Sequence, residues 1–141
     1  MTEPQGRPLN IVLCDDDDVD VMNVKRAFAK ANITNPMWVA TNGLEALNLL
    51  RSSEVPRERR LVLLDLNMPR MNGIELLREL RQDPNLKATT VVVLTTSADE
   101  RDKVEAYNLN VAGYLVKPVT FLNFVDLMVA LSRWFTLVEL A

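Results

Sequence analysis

The sequence contains no histidine. That absence removes Ser-His-Asp and Cys-His nucleophilic catalysis, most zinc sites, and any phosphohistidine carried by this chain. Cysteine occurs once, at Cys14, which excludes an intramolecular disulfide and a thiolate metal cluster. Lying inside an apolar run, Cys14 reads as a buried, inert thiol. No apolar run reaches the ~18 residues needed to span a bilayer. The opening "MTEPQGRPLN" lacks the charged-then-apolar layout of a signal peptide. A net charge of −3 and a pI near 5.0 supply no general attraction to nucleic acid or anionic lipid. The expected location is cytoplasmic, with neither a nucleic-acid nor a membrane partner. Chemistry is left to carboxylates, hydroxyls, lysine and a hard metal ion.

What is present is the composition of one globular domain: 141 residues, 48% hydrophobic and 25% charged. Five short apolar runs, at 9–14, 37–41, 61–65, 91–95 and 111–116, alternate with five amphipathic stretches. That is the pattern of a parallel α/β sheet covered on both faces. The helices are expected at Val19–Ala31, Asn42–Ser52, Asn72–Arg81, Asp99–Leu109 and from Thr120 to about Val138. Ser97 and Glu100 have capping-box spacing ahead of the fourth helix. Residues 1–8 read as a disordered leader and 9–141 as one domain with a C-terminal helix and tail, with no output domain. The loop "SSEVPRERR" (52–60) reads as a solvated turn. Right-handed crossovers place strands one, three, four and five side by side, with strand two beyond strand one.

In such a sheet, functional groups gather at the carboxyl ends of the strands. Strand one ends in Asp15 and Asp16, strand three in Asp65, strand four in Thr95 and Thr96, and strand five in Lys117–Pro118. Three carboxylates at one sheet edge cannot all remain ionised without a cation. A hard divalent ion with oxygen ligands, Mg²⁺ or Mn²⁺, resolves the conflict. Asp65 is the best nucleophile, since a carboxylate can hold a phosphoryl group as a reactive acyl phosphate. Lys117 and Thr95 would meet that group's oxygens. Asn67, two residues on, could turn its backbone carbonyl to the metal, and Pro69 and Gly73 shape the loop.

The segments "IVLCDD", "LVLLDLNMPRMNG", "VVVLTT" and "GYLVKP" resemble the receiver domains of two-component response regulators, in order and spacing, over nearly the whole chain. The resemblance implies a flavodoxin-like (βα)5 fold, a doubly wound five-stranded parallel sheet of order 2-1-3-4-5. It implies a signalling phosphoacceptor rather than an enzyme, taking its phosphoryl group from a histidine kinase onto Asp65. Asp16 would bind the metal directly, Asp15 mainly through water, and Asn67 through its carbonyl. Lys117 would contact the phosphate after a cis Lys117–Pro118 bond. Thr95 and Tyr114 would form a switch that reshapes the face of helix four, strand five and helix five. Within the family the chain looks most similar to stand-alone regulators that partner phytochrome-type kinases.

Asp17 and Asp18 fit a helix start better than a catalytic role, and Asp20 reads as a solvated first-turn residue. The first helix, with Val21, Met22, Lys25 and Phe28, is the expected kinase-docking surface. In the last helix, Leu127, Leu131, Trp134 and Val138 form a second apolar stripe. It is either a wide buried face or a self-association surface, and a homodimer is the favoured reading. The signal would leave by protein contact, or the phosphoryl group would pass to a downstream phosphotransfer protein. Two alternatives leave part of the set Asp15, Asp16, Asp65, Thr95 and Lys117 unexplained. In a haloacid-dehalogenase-like phosphatase Asp15 would be the nucleophile. In a phosphate-independent binding module the site would be idle.

Overall fold

The computed structural model describes residues 9–117 and 120–140, and within the last helix the side chains of 122–131, 133 and 134. Elements alternate without exception: β1 (Asn10–Cys14), α1 (Asp18–Lys30), β2 (Met37–Ala40), α2 (Gly43–Arg51), β3 (Arg60–Leu64), α3 (Gly73–Gln82), β4 (Thr90–Thr95), α4 (Glu100–Asn108), β5 (Gly113–Val116) and α5 (Phe121–Leu140). All strand pairs are parallel and the order is β2-β1-β3-β4-β5. The expected leader at 1–8 and the Lys117–Pro118 bond lie outside the described residues.

The period-two alternation of a strand divides each apolar run between two cores. Val12, Cys14, Val62, Leu64, Val91 and Val93 face α2, α3 and α4, meeting Leu50, Leu76, Leu77, Leu80 and Ala106. Ile11, Leu13, Leu61, Leu63, Val92 and Leu94 face α1 and α5, meeting Val24, Phe28, Phe124, Met128 and Leu131. Phe28 and Phe124 meet edge to face, with centroids 5.7 Å apart, and tie α1 to α5. Burial on both faces is why these runs lack the polar alternation of a half-exposed sheet.

Caps set the helix starts. Asp17 accepts from the amides of Val19 and Asp20, and Asn42 from that of Glu45. Asn72 and Glu75 form a reciprocal capping box that opens α3 directly below the Asp65 loop. The expected Ser97–Glu100 box is not formed. Asp99 caps α4 by accepting from the Arg101 amide, while the Ser97 hydroxyl donates to Asp102 at 2.7 Å. An aspartate next to the helix start outcompetes a serine two positions earlier.

The 52–60 segment is not uniformly solvated either. Arg60 is buried at the start of β3 and its guanidinium donates to the carbonyls of Leu50, Val55 and Pro56 at 2.7–3.0 Å. A buried guanidinium is tolerable when backbone carbonyls absorb its donors. Arg81 does the same at the end of α3. It donates to the carbonyls of Lys87, Thr89, Leu109 and Asn110, clamping two loops at the amino edge of the sheet.

Candidate functional site

The carboxyl edge of the sheet brings together β1, β3, β4 and β5. Asp15 and Asp65 each continue a strand. The Asp15 amide donates to Ala40 and the Asp65 amide to Cys14, at 3.0 and 2.9 Å. Register therefore fixes both carboxylates at the same height on neighbouring strands. Oxygens of Asp15, Asp16 and Asp65 all lie within 4.8 Å of one another, with Asp15 and Asp65 buried and Asp16 exposed. This is an all-oxygen set with one ligand open to water, the chemistry Mg²⁺ or Mn²⁺ prefers.

Asp65 is gripped on one oxygen. Its Oδ1 accepts from the Thr95 hydroxyl at 2.8 Å and from the Asn67 backbone amide at 3.1 Å. Thr95 is wholly buried at the end of β4. The loop after Asp65 turns through Arg70, which adopts a left-handed φ of 65°. Gly73 is required for a different reason. A Cβ there would lie 2.6 Å from the Asp65 carbonyl oxygen and 2.7 Å from the Leu66 Cα. Only glycine lets α3 start so close beneath the nucleophile candidate.

Lys117 completes the cluster. Its ammonium donates to Asp15 Oδ2 at 2.6 Å, Asp20 Oδ2 at 2.8 Å and Asp65 Oδ2 at 3.3 Å, with a side chain 10% exposed. Burial alone would lower the Lys117 pKa, but the bonds to Asp15 and Asp20 and the nearby carboxylate charges outweigh it and raise it. Lys117 is a permanent cation here. Burial pushes the Asp15 carboxyl above its ordinary range, against the opposing bonds from Lys117 and the Asp17 amide. Cys14, beneath it, is pushed up to about 12 by burial and then by the Asp15 charge, so its thiol is inert.

Tyr114 sits half-buried on β5. Its hydroxyl donates to the Ser97 carbonyl at 2.9 Å, and the Lys103 ammonium lies 5.8 Å from its ring centroid. Ser97 follows Thr95 by two residues, and its amide meets the Thr95 hydroxyl at 3.3 Å. The two switch candidates are thus joined through Ser97 of the β4–α4 turn.

Most of the predicted site residues converge, and one expectation is corrected. Asp20 is no solvated bystander, because it shares Lys117 with Asp15. A residue at the first turn of a helix gives no sequence signal of a partner 97 positions away. On α1, Phe28 belongs to the core, whereas Met22 and Lys25 are exposed. On α5, Leu131 is core and Leu127 is partly buried against it. Trp134 is 47% exposed, and the side chain of Val138 lies outside the described residues.

A parallel sheet of order 2-1-3-4-5 carrying an acidic cluster, a hydroxyl and a lysine at its carboxyl edge defines the class of phosphoryl-accepting signalling domains. The chain belongs to the response regulator receiver domain family, whose model matches residues 11–129. A probable methanogenesis regulatory protein, FilR2 of Methanothrix harundinacea, is 37% identical over 116 residues, covering 81% of this chain and 75% of that protein. The phosphorylated cyanobacterial phytochrome response regulator RcpA superposes with a TM-score of 0.73 at 31% identity, covering 92% and 94% of the two chains. The Mn²⁺-bound form of response regulator Rcp1 gives 0.72 at 34% identity, covering 91% and 95%. Family membership sets aside the haloacid-dehalogenase-like alternative and makes the chain a self-modifying signalling module rather than a metabolic enzyme. Among the described residues no helix is long and apolar enough to cross a membrane.

Proposed function

We propose that Asp65 is the phosphoacceptor of this receiver and that its donor is the phosphohistidine of a sensor histidine kinase. An Asp65 carboxylate oxygen forms the new P–O bond as the donor's P–N bond breaks, and the electron pair returns to the donor imidazole. Lys117 neutralises charge on the transferring group, and the Thr95 hydroxyl can turn from Asp65 to a phosphoryl oxygen. A divalent cation held by Asp15, Asp16, Asp65 and the Asn67 carbonyl supplies the remaining charge neutralisation when bound. The observation that carries this reading is the convergence of Thr95 and Lys117 on one carboxylate already flanked by two more. Transfer of label from acetyl phosphate in Mg²⁺ tests it. Labelling should vanish in Asp65→Asn and in EDTA. An unlabelled parent protein would favour the phosphate-independent module.

The kinase is read as phytochrome-type, on the strength of the likeness to RcpA. Phosphotransfer from a phytochrome kinase that outpaces transfer from unrelated kinases would support this. Output is read as a change in the α4–β5–α5 face. Thr95 would pull away from its Asp65 contact, and the β4–α4 turn would release Tyr114. Those three elements carry exposed Val104, Tyr107, Val116, Leu122, Val129 and Trp134, apolar side chains from which a homodimer contact would draw. A species that sediments as a monomer at tens of micromolar, with and without phosphate analogue, would refute the dimer. Transfer onward to a second phosphotransfer protein is the other outlet.

A further inference from the structure

We propose that Asp20 is a positioning residue that competes with the phosphoryl group for Lys117, an inference that rests on the reading of Asp65 as phosphoacceptor. The Lys117 ammonium makes its two short bonds to Asp15 and Asp20, at 2.6 and 2.8 Å, and its long one, 3.3 Å, to Asp65. In the unmodified protein the lysine is thus held on the β1–α1 side of the site. Its anchor on Asp15 is rigid, since that carboxylate is 1% exposed and also accepts from the Asp17 amide at 2.9 Å. The anchor on Asp20 differs, because its side chain is 32% exposed and reaches in from the first turn of α1.

Beside this pair opens a cleft of about 400 Å³ between α1 and α5, lined by Asp20, Asn23, Thr96, Lys117 and Phe124 among others. The lysine stem therefore has room to swing without repacking the core. When Asp65 changes from a carboxylate to an acyl phosphate, the negative charge on that side of the ammonium grows. Any bond that Lys117 keeps to Asp20 is then withheld from the phosphoryl oxygens. Asp20 sets how much of the lysine's charge reaches the modified aspartate.

Beryllofluoride, which mimics a phosphoryl group on a carboxylate, measures this at equilibrium in saturating Mg²⁺, read by the Lys117 amide resonance of the full chain. Asp20→Asn should bind it roughly two- to five-fold more tightly, the span of a partly solvated ion pair. Asp20→Glu, which keeps the charge and the reach, should match the parent. Asp18→Asn removes the same charge from the same exposed turn without touching Lys117, and it should also match the parent. Unchanged or weaker binding in Asp20→Asn overturns the proposal, as does an equal gain in Asp18→Asn. A parent protein that does not bind beryllofluoride overturns the phosphoacceptor reading instead.

Discussion

Asp15→Asn separates the proposed metal-binding role of this buried carboxylate from its role in the fold. Asp15 stands no more than 4.8 Å from oxygens of both Asp16 and Asp65. At an effective dielectric of ~20, each like-charge pair at that separation costs about 3.5 kcal/mol. The attraction to Lys117 at 2.6 Å is about 6 kcal/mol by the same arithmetic. The two nearly cancel, and burial weighs further against the ionised form. The metal-free variant should therefore stay within about 1 kcal/mol of the parent, although breaking an ordinary buried ion pair costs about 3–5 kcal/mol. Lys117 keeps Asp20 and Asp65 as partners, which is why the loss is small.

Mg²⁺ should then split the two proteins. At ten times the parent's Kd, binding stabilises the parent by about 1.4 kcal/mol, and a ten-fold weaker variant by about 0.4 kcal/mol. Urea unfolding in EDTA and in MgCl₂ measures both quantities. A loss of 3 kcal/mol or more in EDTA would refute the charge balance. Equal stabilisation by Mg²⁺ would remove Asp15 from the metal site.

Burial raises the Asp15 pKa, and stability therefore depends on pH. Its folded pKa lies above its unfolded one, so its favourable contribution is complete below the ordinary carboxylate range and is lost as pH rises through the raised value. In metal-free buffer, Asp15→Asn should therefore gain on the parent as pH climbs from acid to neutral, as paired urea melts would show. Gly73→Ala forces the backbone under Asp65 to move and should cost ~1–3 kcal/mol while slowing acetyl phosphate labelling. Arg81→Met strips four carbonyls of their donor and should cost about 2–3 kcal/mol in urea unfolding, with labelling unchanged. Cys14, with a pKa pushed up to about 12, should react with a disulfide reagent only as fast as the protein unfolds.

The five β–α units were legible because strands buried on both faces write themselves as unbroken Val, Leu and Ile runs. The boundaries were less so. β5 begins at Gly113 rather than at residue 111, since Val111 and Ala112 lead into the ladder before regular pairing starts. Arg60 looked like part of a solvated basic loop. Its burial depends on donating to three carbonyls of α2 and the following turn, an arrangement with no trace in local sequence. The Ser97 spacing suggested a cap, yet its hydroxyl went to Asp102 and its carbonyl to Tyr114.

By itself the sequence determined the chemistry available to this protein. Without histidine and with a single buried cysteine, it could only work through carboxylates, a hydroxyl, a lysine and a hard cation. Placement of Asp15, Asp16, Asp65, Thr95 and Lys117 at strand ends followed from the parallel sheet, because every strand of such a sheet delivers its last residue to the same edge. Only the tertiary structure decided how those groups share one another. Lys117 could have been assigned to Asp65 alone. Instead, its stem reaches two shorter contacts, one on β1 and one on the first turn of α1. Ion pairing between residues about a hundred positions apart depends on helix placement to within an ångström, and that is set by how α1 and α5 pack on the sheet.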